Sequence, residues 1–367
     1  MQFRYKKITV KVGSNVLAKS DGTLNVSRIA HLVDQIAFLH KNGVEVVLVS
    51  SGAVAAGKAV MRPSKKTDAV SQRQLWAALG QVKLISRYSD FFQEDGLVCA
   101  QVLTTKENFS SRGHYLNMKN CITTLLDNKV IPIVNENDTI SITELMFTDN
   151  DELSGLIASM LGSEALIVLS NIDGVYSAHP RNENAKLIRE IGIAEREPEN
   201  AISPERSDFG RGGMHTKFRI AKKVAADGIA VHVANGTREN VLIDLLDTSK
   251  DLAHTYFVPG EKPSSGVKKW IAYSNGFTKG EVVINEGAVS ALNSQKAVSL
   301  LPVGITRVDG AFKKGDLIKV KNESGELIAL GKASYGSDRI EKEKLSEKQK
   351  PLVHYDYLYM DNSNLNY

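Results

Sequence analysis

Two lysines stand where they could contact a phosphate group. Lys217 ends the segment GRGGMHTK (residues 210–217), which leads into an amphipathic stretch, and Lys11 precedes a glycine turn in KVGSN. A glycine-rich segment before a helix can direct backbone N–H groups at an anion, and a lysine adds a compact positive charge. Gly-Gly is also common in surface turns, and lysine is common on exposed helix faces and edge strands. A phosphate site and a flexible turn therefore both remain open for GRGGMHTK, which does not fit the pattern GxxxxGK[ST].

A second group of residues supplies hydroxyls, amides and carboxylates. Ser50 and Ser51 end a β-branched run at a strand-to-helix turn, where they could hold an anion or cap the helix. The segments NEND and TDNDELSG add Asn135, Glu136, Asn137, Asp138, Asp149, Asn150, Asp151 and Glu152. Such groups can bind a substrate amino group or help to place Mg²⁺, although Asp and Asn are also ordinary turn residues. Together with the lysines they indicate phosphoryl transfer, in which cations spread charge and polar groups position the acceptor.

These residues follow the strands of a predicted parallel sheet. Up to about residue 258, short β-branched runs alternate with longer segments of helical period. The predicted strands are KITVKVG, VEVVLVSSG, VIPIVNEND, ALIVLSNIDG and GIAVHVANG. In open α/β sheets ligands bind outside the carboxyl ends of the strands, so the polar ends of these five predict one shared ligand face. Between the first two strands, SRIAHLVDQIAFLHKNG predicts a helix with Ser27 as N-cap and Gly43 as its stop.

The composition of the chain changes after this α/β region. We assign residues 1–258 to a catalytic domain, 259–275 to a linker rich in Pro, Gly and Ser, 276–350 to a small β-rich domain, and 351–367 to a C-terminal tail. The third segment contains short strands and glycine turns, with few helix signals. Its last part, EKEKLSEKQK, is interpreted as a solvated helix end or a frayed tail.

Composition excludes several classes of protein. The 367 residues are 42% hydrophobic and 24% charged with a net charge of +4, which is typical of a globular protein of two or three domains with only a mild attraction to anions. The two cysteines, Cys99 and Cys121, have no metal-like spacing and predict a reducing, cytoplasmic location. The N-terminus does not resemble a signal peptide, and no apolar run predicts a membrane span. The sequence lacks GxSxG, HExxH, CxxC and an early GxGxxG.

Six segments in their order resemble the amino acid kinase family: KVGSNVL, VLVSSGAVAAG, VNENDTI, TDNDELSG, LSNIDGVY and GRGGMHTK. RQLWAALGQ and the β-rich C-terminal part resemble the members of that family that phosphorylate the γ-carboxylate of glutamate with ATP. The resemblance covers nearly the whole chain. It implies an αβα sandwich with a mainly parallel central sheet, followed by a small PUA pseudo-barrel. Aspartokinases would carry ACT domains instead, and acetylglutamate, carbamate and uridylate kinases usually end after the kinase domain.

The resemblance also implies roles for individual residues. Lys11 and Lys217 match the lysines that contact the nucleotide phosphates and stabilise the transferred phosphoryl group. The glutamate-binding positions are Ser51, Asp138 and Asn150. The nucleotide-binding positions are Lys11, Ser170, Asn171, Arg211, Gly212, Gly213, Met214, His215, Thr216 and Lys217. Asn171 replaces the usual Asp and Arg211 the usual Thr. The family carries Mg²⁺ mainly on the nucleotide, so no metal-binding residue is assigned.

The same resemblance implies feedback inhibition by proline, a homo-oligomer (dimer or tetramer) and a functional link to the glutamate-5-semialdehyde dehydrogenase that consumes the labile product.

Two alternative functions stay open. One is a related kinase that acts on another carboxylate. The other is an RNA-binding protein, since PUA domains usually belong to such proteins; residues 276–350 contain thirteen Lys and Arg against ten Asp and Glu without an aromatic-rich basic stripe, which is weak support.

Overall fold

The computed structural model describes residues 2–61, 68–140, 147, 149–178, 182, 184–195, 197–198, 213–261, 266–294, 297–346 and 348–360. The chain forms two compact units. The first comprises Met1–Asn108 and Leu116–Pro263, and the second comprises Phe109–Tyr115 and Ser264–Tyr367.

The first unit is built on an eight-stranded, mainly parallel sheet. Its strands are β1 (Lys7–Val12), β2 (Glu45–Ser50), β3 (Cys99–Thr104), β4 (Ile131–Glu136), β5 (Ala165–Ser170), β6 (Glu190–Ile191), β7 (Ala230–Asn235) and β8 (Thr255–Phe257). They are ordered β3-β4-β2-β1-β5-β7-β8-β6, and β8 runs antiparallel to β7. All five predicted strands are present and mutually parallel, so their polar ends lie along one edge. This confirms the predicted α/β class.

Helices cover both faces of this sheet. They are α1 (Ser14–Leu17), α2 (Val26–Lys41), α3 (Ala53–Lys58), α4 (Ala69–Glu94), α5 (Arg112–Asp127), α6 (Asn150–Leu161), α7 (Met214–Ala226) and α8 (Val241–Leu246). On β5, Ala165, Ile167 and Leu169 belong to a core shared with α2, α4 and α8, while Leu166 and Val168 belong to a second core shared with α6 and α7. The period-two alternation of a strand thus supplies both cores of an αβα sandwich.

The same alternation decides where Lys11 points. Ile8, Val10 and Val12 of β1 join the core beneath α2 and α8, so Thr9 and Lys11 face the α6 side of the sheet. Because β1 pairs with β2 on one side and β5 on the other, Lys11 lies in a central strand. The alternative interpretation of Lys11 as an ordinary edge-strand lysine is therefore wrong.

Two glycines allow α3 to pack directly against α4. A Cβ at Gly80 would lie 1.8 Å from the carbonyl oxygen of Ala53, and one at Gly57 would lie 1.9 Å from that of Trp76. Only glycine lets two helix backbones approach this closely. The contact fixes α4 relative to the end of β2, where Ser50 and Ser51 lie.

The second unit contains a five-stranded sheet in the order β10-β9-β11-β12-β13. Its elements are α9 (Gly266–Ala272), β9 (Gly280–Ile284), α10 (Glu286–Asn293), β10 (Ile305–Asp309), β11 (Leu317–Lys321), β12 (Leu327–Lys332), α11 (Ile340–Lys344) and β13 (Leu358–Met360). The β-rich character predicted from sequence is present, and one core, with Val282, Ile318, Leu352 and Val353 fully buried, holds the unit together.

Two helices and a last strand are present where local sequence patterns did not predict them. Predicted linker residues form α9, whose buried Trp270 donates from Nε1 to the carbonyl oxygen of Phe109 at 2.9 Å. The segment GEVVINEGAVSAL is a strand followed by α10, because Asn285 caps the helix. Residues assigned to a tail include β13, and EKEKLSEKQK begins within the short α11, as one of its two interpretations expected. Apolar contacts too far apart in sequence to form a local pattern hold these elements.

The helix between β1 and β2 begins two residues earlier than predicted. Asn25, rather than Ser27, is its N-cap, because the Asn25 side chain accepts a hydrogen bond from the backbone N–H of Arg28. The predicted stop is confirmed: Gly43, just beyond the helix, has a φ of 85°, which favours glycine.

Candidate active site

Three charged side chains meet at the carboxyl end of the sheet. Lys11 of β1 lies 2.5 Å from Oδ1 of Asp151, and Lys217 of α7 lies 2.9 Å from Oδ2. Asp151 is in the first turn of α6 and is 1% exposed. One carboxylate thereby holds together two lysines that are 206 positions apart in the chain.

The electrostatics of this triad favour an ionised Asp151 and a protonated Lys217. Burial alone would raise the pKa of Asp151, but the charges and hydrogen bonds of Lys11 and Lys217 hold it well below its usual range. Burial would lower the pKa of Lys217, yet the nearby Asp151 and Asp149 raise it. The triad by itself has one more positive than negative charge, and these fixed ammonium groups suit an anionic ligand.

Asp149 sits beside this triad as the N-cap of α6. Its Oδ1 accepts hydrogen bonds from the backbone N–H groups of Asp151 and Glu152 at 2.8 and 3.1 Å. Burial, and then the negative charge of Asp151, raises the pKa of Asp149 to about 6. The cap thus adds a negative charge beside the lysines only as the pH rises through about 6.

A cluster of amides and hydroxyls lies next to the triad. The Asn150 side-chain NH₂ donates to the Ser51 hydroxyl at 3.0 Å, to the Asn135 side-chain oxygen at 3.1 Å and to the Ser50 carbonyl at 3.1 Å. The structure therefore brings together Ser51 and Asn150, two of the predicted glutamate-binding residues. Since β2, β4 and α6 each contribute, parallel strand order is what assembles this cluster.

Asp138, the third predicted glutamate-binding residue, is engaged by a residue that the sequence analysis did not select. Arg73 of α4 donates to Oδ1 of Asp138 from Nη2 at 2.7 Å and from Nε at 3.2 Å. The adjacent Gln74 donates to the carbonyl oxygen of Thr139 at 3.0 Å. Helix α4 thus covers the end of β4 with polar side chains.

The predicted nucleotide-binding residues are arranged more openly. Ser170 at the end of β5 donates to Asn171 at 3.4 Å, and Asn171 itself is exposed. Gly213 is the N-cap of α7, and apart from its chain neighbours no heavy atom of the described residues lies within 4 Å of the position that a Cβ would take there. The exposed His215 pairs with Glu197, with Nδ1 of the histidine 2.7 Å from Oε2 of the glutamate.

The remaining residues of this predicted set belong to the segment 211–217, and the structure describes only part of it. Met214, His215, Thr216 and Lys217 form the first turn of α7. Arg211 and Gly212 lie outside the described residues. Lys217 therefore lies in the first turn of α7, which begins at Met214.

Three residues of the site were not predicted to act there: Asp151, which belongs to a recognised motif, and Arg73 and Gln81. The signal for Asp151 was a charge argument: two lysines predicted at one phosphate site need a buried counter-charge. Gln81 accepts from the side-chain NH₂ of Asn135 at 3.0 Å and so orients the amide cluster. No local pattern distinguishes Arg73 and Gln81 from other polar residues of a long amphipathic helix.

The described residues contain neither a candidate metal site nor a membrane-spanning helix. In the described ranges, no three His, Cys, Asp or Glu side chains are grouped so that they could hold a metal ion. Among the helices that the structure describes, none is long and apolar enough to cross a membrane.

Two protein-family models match this chain, and two similar relatives share one activity in their names. The family model described as the amino acid kinase family matches residues 6–235, and the PUA domain model matches residues 280–351. A glutamate 5-kinase of Bacteroides thetaiotaomicron is 55% identical over 98% of this chain and 100% of its own length. A glutamate 5-kinase of Chlorobaculum tepidum is 47% identical over 97% of this chain and 98% of its own.

A solved structure supports the fold alone. The carbamate kinase from Giardia lamblia bound to AMP-PNP is 18% identical, covers 70% of this chain and 99% of its own, and superposes with a TM-score of 0.52. The matched family models and the similarity over nearly the whole chain lead to one conclusion: this chain belongs to the amino acid kinase family, among its glutamate 5-kinases, and contains a PUA domain at residues 280–351.

Proposed function

We propose that the chain catalyses ATP-dependent phosphorylation of the γ-carboxylate of L-glutamate, the first step of proline synthesis. An oxygen of the γ-carboxylate attacks the γ-phosphorus of ATP, the bond from that phosphorus to the bridging oxygen breaks, and L-glutamyl 5-phosphate and ADP are formed. The observation that carries the proposal is the Lys11–Asp151–Lys217 triad, which lies beside an amide cluster at the ligand edge of the sheet.

The two lysines are proposed to supply positive charge along the path of the phosphoryl group. Since each contacts a different oxygen of Asp151, their ammonium groups are held apart on a rigid, buried support. Charges fixed in this way need no reorganisation during the reaction and stabilise negative charge on the transferred group and the leaving oxygen.

The acceptor needs orientation rather than activation. A glutamate side chain, with a solution pKa of about 4.3, is already ionised at neutral pH, so no general base is required. Ser51, Asp138 and Asn150 are proposed to bind the glutamate molecule. The Asn150 amide is held in place by its bond to Asn135, which in turn donates to Gln81. Positioning of this kind contributes a large part of the rate.

Nucleotide binding is proposed to use the first turn of α7, where free backbone N–H groups and the helix dipole favour phosphate. Ser170, Asn171 and the segment from Arg211 to Lys217 are proposed to contribute the other contacts. Mg²⁺ is proposed as a companion of ATP. The described side chains provide no grouped set of metal ligands, so no step is assigned to a protein-bound ion.

The test is direct. Purified protein with ATP, Mg²⁺ and glutamate should form an acyl phosphate that hydroxylamine traps as γ-glutamyl hydroxamate. Aspartate and N-acetylglutamate serve as competing acceptors. Turnover on either of these without turnover on glutamate would move the activity to another carboxylate within the family.

Several properties follow from family membership as further proposals. Proline at millimolar concentration should inhibit the hydroxamate reaction, light scattering should give the mass of a dimer or tetramer, and the dehydrogenase that consumes the product is the proposed functional partner. The predicted domain boundaries remain a proposal, testable by limited proteolysis. Retention of labelled structured RNA at physiological salt would support a second activity for the PUA domain.

A further inference from the structure

The ion pair between Arg73 and Asp138 uses only one of the two carboxylate oxygens. Both bonds from the guanidinium, from Nη2 and Nε, end on the same carboxylate oxygen, Oδ1. A side-on guanidinium–carboxylate pair commonly uses two N–H groups and both oxygens. Within the described residues, Nη1 of Arg73 and Oδ2 of Asp138 take part in no hydrogen bond.

The surroundings leave the pair partly accessible. The Arg73 side chain is 30% exposed and that of Asp138 is 10% exposed. Gln74 anchors the same turn of α4 through its bond to Thr139, and Gln81, two turns further along, anchors it to Asn135. Arg73 is therefore held at the end of β4 by its neighbours as well as by Asp138.

From this geometry we infer that Arg73 and Asp138 form a clamp for the zwitterionic head of the acceptor amino acid. Oδ2 of Asp138 accepts from the α-ammonium group, and the outer edge of the Arg73 guanidinium donates to the α-carboxylate. The inference rests on the proposed function and adds Arg73 to its substrate-binding residues. Head and clamp each carry one positive and one negative charge, so the charges match without a net change.

A chain of hydrogen bonds and neighbouring residues leads from Asp138 to the lysine triad, and this gives the direction in which the acceptor would extend. Asp138 follows β4 three residues after Asn135, and Asn135 bonds Asn150, which immediately precedes Asp151 in α6. A substrate held by its head at Asp138 can extend its side chain past Asn150 toward the lysine triad. Arg73 then acts on binding and specificity, whereas Lys11 and Lys217 act on the transferred group.

The experiment compares acceptors that lack one half of the head. 4-Aminobutyrate is glutamate without the α-carboxylate, and glutarate is glutamate without the α-amino group. Wild type, Arg73→Gln, Arg73→Lys and Asp138→Asn are assayed by hydroxamate formation with each acceptor. Arg87→Gln is the matched control, because Arg87 lies on the same helix in an exposed pair with Asp90.

We expect Arg73→Gln to raise KM for glutamate roughly 10- to 100-fold, with kcat and KM for ATP changed less than about threefold, because a charge-assisted hydrogen bond to the acceptor is lost. Its kcat/KM for 4-aminobutyrate should stay near that of wild type, so the preference for glutamate over 4-aminobutyrate falls by the same factor. Arg73→Lys should restore part of that preference. Asp138→Asn should instead reduce the preference for glutamate over glutarate.

A role limited to holding Asp138 in place predicts a different result. Arg73→Gln would then lower kcat/KM for glutamate and 4-aminobutyrate equally, and an unchanged preference overturns the clamp. Calorimetric titration of wild type and Arg73→Gln with glutamate separates this from the proposed function. Loss of glutamate binding in Arg73→Gln supports the clamp even if wild type forms no acyl phosphate, and absence of glutamate binding to wild type overturns it.

Discussion

The two sides of the candidate site differ in how completely their side chains are fixed. On the proposed acceptor side, which comprises Ser51, Asn135, Asp138 and Asn150, each side chain is bonded to a residue on another element. On the proposed nucleotide side, which comprises Ser170, Asn171 and residues 213–216 of the α7 start, the bond between Ser170 and Asn171 is long, Asn171 is exposed, and His215 pairs with Glu197 from an exposed position.

The difference matches what each ligand requires. A small carboxylate must be placed to within a fraction of an ångström of the phosphorus, which demands a preorganised network. ATP brings several phosphate charges that bind helix N–H groups and lysines with less demand for rigid side chains. Lys11, Asp151 and Lys217 stand between the two sides, so their loss should affect both.

The largest effect is expected from Lys217→Ala. Removing one of the two lysines should lower kcat roughly 10²- to 10³-fold, the loss typical for one preorganised charged donor at a developing negative charge. Hydroxamate formation at saturating ATP and glutamate measures it, with circular dichroism as the check on folding. Lys41→Ala, which breaks an exposed lysine–aspartate pair at 2.6 Å, is the control and should keep wild-type turnover. Wild-type kcat in Lys217→Ala would remove this lysine from the mechanism.

A substitution confined to the proposed acceptor side should weaken the use of glutamate without weakening the use of ATP. Asn150→Ala removes the side-chain NH₂ group that contacts three acceptor oxygens, and should lower kcat/KM for glutamate about 100-fold, while KM for ATP changes less than about threefold. Steady-state kinetics with each substrate varied in turn provide the measurement. Asn42→Ala, which removes an exposed side-chain bond to Phe38 before β2, is the control. Equal losses for both substrates would show that the network supports the whole site.

Asp149 offers a test through pH. Its pKa rises from 3.8 to about 6 on folding, so its contribution to stability is complete below pH 3.8 and is lost as the pH rises through about 6. Asp149→Asn keeps an oxygen to cap α6 but cannot ionise. We therefore expect it to raise the free energy of unfolding at pH 7.5 by on the order of 2 kcal/mol relative to wild type, with the difference shrinking between pH 6 and pH 4.

Urea unfolding followed by tryptophan fluorescence at several pH values measures this difference. Asp68 is the matched control, because it caps α4 in the same way but is exposed, and its hydrogen bonds with Ser71 lower its pKa. Its contribution is present above the unfolded pKa and is lost as the pH falls, so Asp68→Asn should destabilise at neutral pH. A pH-independent effect of Asp149→Asn would contradict the assignment of a raised pKa.

The smallest effect is expected on the nucleotide side. Asn171→Asp restores the residue usual in the family and should change KM for ATP by no more than about fivefold, since interactions of an exposed charge are worth about 1 kcal/mol or less. KM for glutamate should not change. Initial rates with ATP varied at saturating glutamate give the answer, and a change well above tenfold would mean that this side is as closely fixed as the other.

Much of the fold was accessible from local sequence. The five β-branched runs followed by polar ends, with helical segments between them, specify parallel strands and therefore one ligand edge. Lys11, Ser51 and Asn150 could be assigned to that edge because a residue at the carboxyl end of a strand or the start of the next helix has little choice of position. The helix cap at Asn25 and the helices α9 and α10 were missed, since short polar or mixed segments fit several conformations equally well.

Local sequence alone specifies the set of segments that meet at the ligand edge, because strand alternation and crossover helices follow local periodicity. Which side chains become partners there depends on the packing of the folded chain. Asp151 joins Lys11 to Lys217, and Arg73 reaches Asp138, across separations of 65 to 140 residues. Such pairs depend on how α4, α6 and α7 pack against the sheet, and a buried charge selects its partner by proximity and desolvation, which no local pattern records.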